Sequence, residues 1–372
     1  MRVLEYVVFH PWRAAAILLV GTLLGFVTFY AYQVNAAFAE VAAEDFDPAA
    51  ARSAIQFDFD PATARSGIEA DSAEPSYDLE AEMALTEARQ ATGQNTGSFN
   101  ASALGEPIPD DVFESYLLVG TDASGLLADS IILALQPADD PTPIMVSLPR
   151  DLFVWNLCKE TFTRLNSGLG GCAGVATGPE MLAIMVEDYT GIPVDHLARV
   201  DFDGFSRLID VMGGVTVCVD HPTRDAKAHL ELDSAGCQVV DGATALAWVR
   251  SRHPEQLVDG TWRSVSASDF TRQEHQQDVL FQLADKAATF SSPATLTERL
   301  AAAASSVRLD SSWTLGQAVG VAWDYRGISP DAVERFAVAV DDYLTSYGAQ
   351  VLLPSEPFKA QLSTVYEFSP AG

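Results

Sequence analysis

The chain has 372 residues, 48% of them hydrophobic, and a formal net charge of -29 at pH 7. That length is long for one domain and short for three, and the apolar fraction allows a sizeable core. So strong a negative charge excludes nucleic acid as a partner, because a polyanion is repelled, but it leaves room for a local basic pocket.

Arg2 and Arg13 precede an uncharged apolar stretch from Ala14 to Tyr32. Roughly 20 such residues cross a bilayer core as a helix, so residues 14–34 are predicted to be a single membrane span, with Tyr30 and Tyr32 at an interface. The basic residues lie before the span, and Glu40, Glu44, Asp45 and Asp47 follow it. The positive-inside rule then places residues 1–13 in the cytoplasm and the remainder outside the cell membrane. A cleaved signal peptide is the rival reading. It is disfavoured because the apolar run exceeds the usual h-region and Tyr30-Ala31-Tyr32-Gln33 makes a poor cleavage site. Residues 35–111 are Ala-rich and acidic, and read as a spacer that lifts the domain off the membrane.

A globular domain is predicted over residues 112–365. Between Tyr116 and Asp151 lie three short apolar runs bounded by turn residues, the pattern of buried sheet strands. Asp122, Asp129 and Asp151 stand at their ends, with Arg150 beside the last. Val154 to Gly174 reads as a Gly-rich loop region. Its Gly168-Leu169-Gly170-Gly171 is not followed by Lys-Ser/Thr, so a P-loop fails. Thr177 and Glu180 form a capping-box pattern for a helix that runs to Tyr189 and stops at Gly191.

Leu197 to Phe202 is a predicted strand, Gly204 to Met212 a short helix, and Val215 to Val219 another strand. Asp241 is placed to cap a helix from Gly242 to Val249, and a longer one is expected from Phe270 to Ala288, with Val279, Leu280, Leu283 and Ala287 on one face. Helices near Ala294 to Ser305 and Leu315 to Trp323, then strands at Phe336 to Val340 and Ala349 to Leu353, complete the pattern. Strands alternating with helices indicate an α/β fold: a central mixed β-sheet flanked by helices on both faces.

Cys158, Cys172, Cys218 and Cys237 are an even set in an oxidising compartment, which points to two disulfides. Three connectivities are open. The local pairs Cys158–Cys172 and Cys218–Cys237 are preferred, because each staples one loop excursion. The absence of Cys-x-x-Cys and of His pairs at ligand spacing argues against zinc.

Two clusters bear on chemistry. Asp122 and Asp129 flank one loop between neighbouring strands, where two carboxylates suit a magnesium ion that keeps waters for a substrate phosphate. Arg150, Arg250, Arg252 and Arg272, with Arg164 as a further member, stand at element ends, and guanidinium forks bind phosphate oxygens in bidentate fashion. The bland alternative is a set of local salt bridges such as Arg150–Asp151 and Arg272–Asp269. Neither a Gly-x-Ser-x-Gly elbow nor a His-Glu-x-x-His motif is present. Phosphoryl transfer needs mainly positioning and charge neutralisation, so an obvious nucleophile is not required.

Taken in order, Leu117-Leu118-Val119-Gly120-Thr121-Asp122, Ala128-Asp129-Ser130, Ser147-Leu148-Pro149-Arg150-Asp151 and Arg164-Leu165-Asn166 open a series of motifs. It continues with Val200-Asp201-Phe202-Asp203-Gly204-Phe205, Gly213-Gly214-Val215, Asp241-Gly242-Ala243-Thr244-Ala245-Leu246, Val249-Arg250-Ser251-Arg252 and Asp269-Phe270-Thr271-Arg272. Over about Val112 to Leu283 the chain thereby resembles the LytR-CpsA-Psr family of membrane-anchored envelope enzymes. The resemblance implies transfer of a glycopolymer from a polyprenyl-pyrophosphate carrier to a peptidoglycan hydroxyl. It also implies that Asp122 and Asp129 hold magnesium and that Arg150, Arg250, Arg252 and Arg272, with Arg164 and Gln276, bind pyrophosphate. Asp269 corresponds to the family's motif aspartate, and Asp151 or Asp269 is the expected general base.

Three departures stand out. Ala128 replaces an expected Arg, Arg164 an expected Lys, and His275-Gln276-Gln277 an expected Arg-Gln-Gln. The carrier lipid implies an apolar channel, with Met181 to Val186, Phe202 to Ile209 and Val279 to Leu283 as expected linings. Two rival functions remain: a polyprenyl-pyrophosphate phosphatase, and a non-catalytic carrier-binding or regulatory protein.

Overall fold

The computed structural model describes residues 42–58, 105–122, 124–265, 269–288, 307–312 and 332–368. The expected span at residues 14–34 lies outside them, as do the helices expected near 294–305 and 315–323. Among the described residues no helix is long and apolar enough to cross a membrane.

Strand β1 (Ala42–Glu44) and helix α1 (Pro48–Asp58) come first. The three apolar runs form β2 (Phe113–Thr121), β3 (Ala128–Pro137) and β4 (Ile144–Leu148). Where the glycines predict only loop, β5 (Phe153–Asn156) and β6 (Thr161–Arg164) pair as a hairpin, and a 3-10 turn spans Leu165–Gly170. Helix α2 (Gly178–Thr190) carries the expected capping box between Thr177 and Glu180 and ends at Gly191, whose φ of 73° is the left-handed conformation that favours glycine there.

Strand β7 (His196–Val200) ends two residues earlier than its apolar pattern, because Asp201 caps α3 (Phe202–Val211) by accepting from Gly204 N–H. Then follow β8 (Val215–Val219), β9 (Thr223–Asp225), β10 (Leu230–Leu232), β11 (Gly236–Val240) and α4 (Gly242–Arg250), capped by Asp241. Strands β12 (Glu255–Val258) and β13 (Thr261–Ser264) lead to α5 (Asp269–Ala288). The chain closes with β14 (Arg308–Asp310), β15 (Glu334–Ala337), β16 (Val340–Leu344), β17 (Gln350–Pro354) and α6 (Phe358–Leu362).

The central sheet is mixed and runs β1-β14-β7-β2-β3-β4-β15. Its middle strands are buried on both faces, which is why they read as continuous apolar runs rather than as alternation. Leu117, Leu133 and Val146 are fully buried on one face in the same core as α2. On the opposite face α5 crosses the sheet, where Gln277 donates to Ser147 Oγ at 2.9 Å. A second core gathers α3, α4 and α5 over β8, β10 and β11 through Ile209, Val215, Leu230, Ala245, Val279 and Leu283. Strand β8 thus belongs to a separate two-stranded antiparallel sheet with β11 and not to the central sheet.

Residues 42–58 are part of the domain, in contrast to the spacer that composition predicts. Ala51 and Ile55, four apart on α1, enter the main core, while Arg52 pairs with Asp188 at 2.7 Å and Glu187 at 3.2 Å on α2. Glu44 pairs with Arg199. An Ala-rich acidic stretch looks like a linker in composition, yet one apolar stripe suffices to dock a helix. Met181 to Val186, expected along a lipid channel, are fully buried members of the main core. Both local disulfides form, Cys158–Cys172 and Cys218–Cys237.

Candidate functional site

The sheet end where β2 passes into β3 is shaped by a bulge. Thr121 pairs with Ala128 and Gly120 with Ser130, so Asp129 is the extra residue on β3. A bulge re-aims the side chain it inserts, and here the Asp129 carboxylate accepts a hydrogen bond from Arg150 Nη1. Arg150 follows β4, the strand next to β3, so strand order alone brings these residues to one edge. Asp151 lies 3.4 Å from Arg150 Nε and, through its other oxygen, 3.4 Å from Arg164 Nε. Arg164 also donates to the Gln350 carbonyl at 2.8 Å. The result is a connected row, Asp129–Arg150–Asp151–Arg164, in which opposite charges alternate.

Asp122 turns back on its own loop. Both its carboxylate oxygens accept from the Ser124 hydroxyl at 2.8 Å, and one accepts from Leu127 N–H at 3.3 Å. What burial it has pushes its carboxyl up, but the Ser124 hydroxyl and the backbone N–H groups of Leu127, Leu126 and Gly125 outweigh this and leave it below the ordinary carboxylate range. Among the described residues no group of three or more His, Cys, Asp or Glu could hold a metal ion. The donor set at this edge nevertheless suits magnesium: the oxygens are hard, the Asp122 carboxylate is favoured as an anion, and two protein carboxylates are enough when water and phosphate complete the shell.

The second group of arginines comes from α4 and α5. Arg250, at the end of α4, lies over the Phe202 ring with Cζ 4.3 Å from its centroid. Arg272 is buried on the first turns of α5. Asp269 begins that helix; its side chain lies outside the described residues, and with it the expected Arg272–Asp269 pair. Gln276 joins the two regions. It accepts from Ser130 Oγ at 2.8 Å, next to Asp129, and lies 3.5 Å from the Val249 carbonyl, next to Arg250. One α5 side chain thus links the sheet edge to the arginine-bearing end of α4.

Arg252 is placed by a residue that sequence patterns do not single out. Asp225, buried at the end of β9, accepts from Ser251 Oγ at 2.8 Å, Arg252 N–H at 3.0 Å and His253 N–H at 2.8 Å. Its other oxygen accepts from Lys227 N–H and Ala228 N–H. Burial pushes the carboxyl up, but His253 N–H, the Ser251 hydroxyl and the other donors prevail and bring it down to about 2. An Asp two residues before its own backbone partners is a local turn signal. The partners at 251–253 are far away in sequence and carry no such mark.

The departures also have structural causes. Ala128 is fully buried in the main core. His275 stacks on Trp248 of α4 with centroids 3.9 Å apart. Burial pushes its imidazole below the ordinary histidine range, with Asp278 opposing in part.

The profile of the LytR_cpsA_psr family matches residues 77–365, most of the chain. The protein belongs to the LytR-CpsA-Psr family. Among its family relatives, the probable cell wall biosynthesis protein LcpB of Corynebacterium glutamicum is 33% identical over 159 residues, 37% of this chain and 36% of LcpB. The polyisoprenyl-teichoic acid–peptidoglycan teichoic acid transferase TagU of Halalkalibacterium halodurans is 25% identical over 65% of this chain and 74% of its own length. A solved LytR-CpsA-Psr structure, described as the LytR-Csp2A-Psr enzyme from Actinomyces oris, superposes with a TM-score of 0.56 and 27% identity, covering 70% of this chain and 92% of that one. The mixed central sheet is therefore the family's fold.

Proposed function

We propose that this LytR-CpsA-Psr protein is a membrane-anchored transferase that moves a glycopolymer from a polyprenyl-pyrophosphate carrier onto a hydroxyl of peptidoglycan outside the cell. The observation that carries this reading is the link through Gln276, which sets the Asp129–Arg150–Asp151–Arg164 row beside the Arg250 end of α4. Guanidinium groups around a pair of carboxylates match a substrate with two phosphates and a divalent cation. The activity for which TagU is named, with a polyisoprenyl-linked donor and a peptidoglycan acceptor, supports the same assignment.

In the reaction the acceptor hydroxyl oxygen attacks the phosphorus that carries the sugar. The bond from that phosphorus to the bridging oxygen breaks, and polyprenyl monophosphate leaves with the electron pair. Arg150, Arg250, Arg252 and Arg272, with Arg164 and Gln276, orient the diphosphate and offset the charge that builds on its oxygens. Asp122 and Asp129 would hold magnesium, which supplies further charge neutralisation when bound. Asp151 or Asp269 takes the acceptor proton. If Asp151→Asn and Asp269→Asn each retain full turnover, neither is the base.

The deciding experiment supplies the full chain with a polyprenyl-pyrophosphate glycan, magnesium and peptidoglycan. Glycan in the peptidoglycan fraction together with polyprenyl monophosphate supports transfer. Polyprenyl monophosphate with free phosphorylated glycan, and none on peptidoglycan, indicates a phosphatase. The uncharged His275–Trp248 stack favours a second reading, a carrier-binding protein without turnover; binding of the carrier with neither product would establish it.

A further inference from the structure

Between β2 and β3, Leu126 is 62% exposed and Leu127 47% exposed, at the sheet end that carries Asp122 and Asp129. Isolated exposed leucines are ordinary. These two are adjacent, and their backbone is held in place: Leu126 N–H donates to Ser124 Oγ, and Leu127 exchanges hydrogen bonds with Asp122 through both its N–H and its carbonyl. The site aspartate thereby helps to present both apolar side chains to the outside.

The sheet register shows what lies on that side. Ala42, Arg308, Arg199 and Val119 share one row across β1, β14, β7 and β2. With the pairings parallel, antiparallel and parallel in that order, β1 runs opposite to β2. The chain upstream of Ala42 therefore enters at the sheet end where β2 finishes, about 14 Å across the strands from β2. Seven residues, 35–41, separate the apolar stretch at 14–34 from β1, and they reach at most about 25 Å.

We propose that Leu126 and Leu127 enter the interfacial layer of the lipid bilayer and seat the Asp122–Asp129 end of the sheet on the membrane surface. This rests on the anchored reading above. The short tether selects the bilayer as the occupant, because it draws this sheet end toward the membrane. With a net charge of -29 the chain gains nothing from anionic headgroups, so apolar side chains make the contact. A carrier whose pyrophosphate lies at headgroup level then meets the site without leaving the bilayer.

The test uses the full chain in phosphatidylcholine liposomes with brominated acyl chains. An environment-sensitive fluorophore is attached to Leu126→Cys and, in a second variant, to Val239→Cys, a 69% exposed position on β11. The four native cysteines are paired and do not compete for the label. A blue shift and quenching at position 126 but not at 239 is the expected result. If the chain floats with the liposomes while the label at 126 stays unquenched, insertion is wrong and anchoring stands. If the full chain does not float, both are wrong. The Leu126→Ser/Leu127→Ser variant should turn over a liposome-embedded carrier several-fold more slowly yet leave turnover of a detergent-dispersed short-chain carrier unchanged. Equal loss on both substrates overturns the proposal.

Discussion

Asp225 accepts from Arg252 N–H and so holds the backbone on which that arginine stands. Its carboxyl is brought down to about 2, below the ordinary carboxylate range. The stabilisation is therefore complete above the unfolded pKa and disappears as pH falls through about 2, a contribution on the order of 2 kcal/mol. Asp225→Asn should lower stability at neutral pH by about that amount and flatten the acid side of the stability curve, measured by urea unfolding at successive pH values. His275 runs the same way, in a higher pH range. A histidine buried neutral stabilises the fold above its unfolded pKa and loses that contribution as pH falls below roughly 6.5. His275→Arg restores the charge usual in the family. Its expected effect is a KM for the pyrophosphate donor lower by about tenfold, the equivalent of one charge-assisted hydrogen bond.

At the scale of elements, capping and cross-links decide local order. Thr177→Ala removes the acceptor for Glu180 N–H and should cost about 1 kcal/mol in thermal unfolding. The disulfides close loops with sequence separations of 14 and 19 residues, each contributing about 3 kcal/mol by the chain-entropy estimate. They differ in access: Cys172 is buried, while Cys218 and Cys237 are both exposed. Mild reductant should open Cys218–Cys237 first, as mass spectrometry of alkylated fragments will show. The main strands and helices were legible because their signals are local: continuous apolar runs for β2, β3 and β4, and caps at Thr177 and Asp241. Strands β9, β10, β12 and β13 have three or four residues each, too few for a period to emerge.

For the whole molecule, the join between residues 42–58 and the rest matters most. Deleting residues up to 104 removes Ala51 and Ile55 from the main core and Arg52 from its two carboxylates. Relative to a chain that begins at Ala42, stability should drop by about 3 kcal/mol, from lost apolar burial and the carboxylates left partly buried. Equal melting temperatures for the two would show that the segment is a spacer after all.

By itself the sequence determined the family, the order of the main elements, the preferred disulfide pairs, and the aspartates and arginines worth examining. Each of those rests on residue type and short-range spacing. Only the tertiary structure decided that Asp129 is a bulged residue held by Arg150, that Asp151 lies between two arginines, and that Gln276 and Asp225 tie distant segments to the site. It also decided that Ala128 is core and that residues 42–58 complete the sheet. These are contacts between residues far apart in the chain, and strand order and burial, which bring them together, leave no periodic mark at either partner.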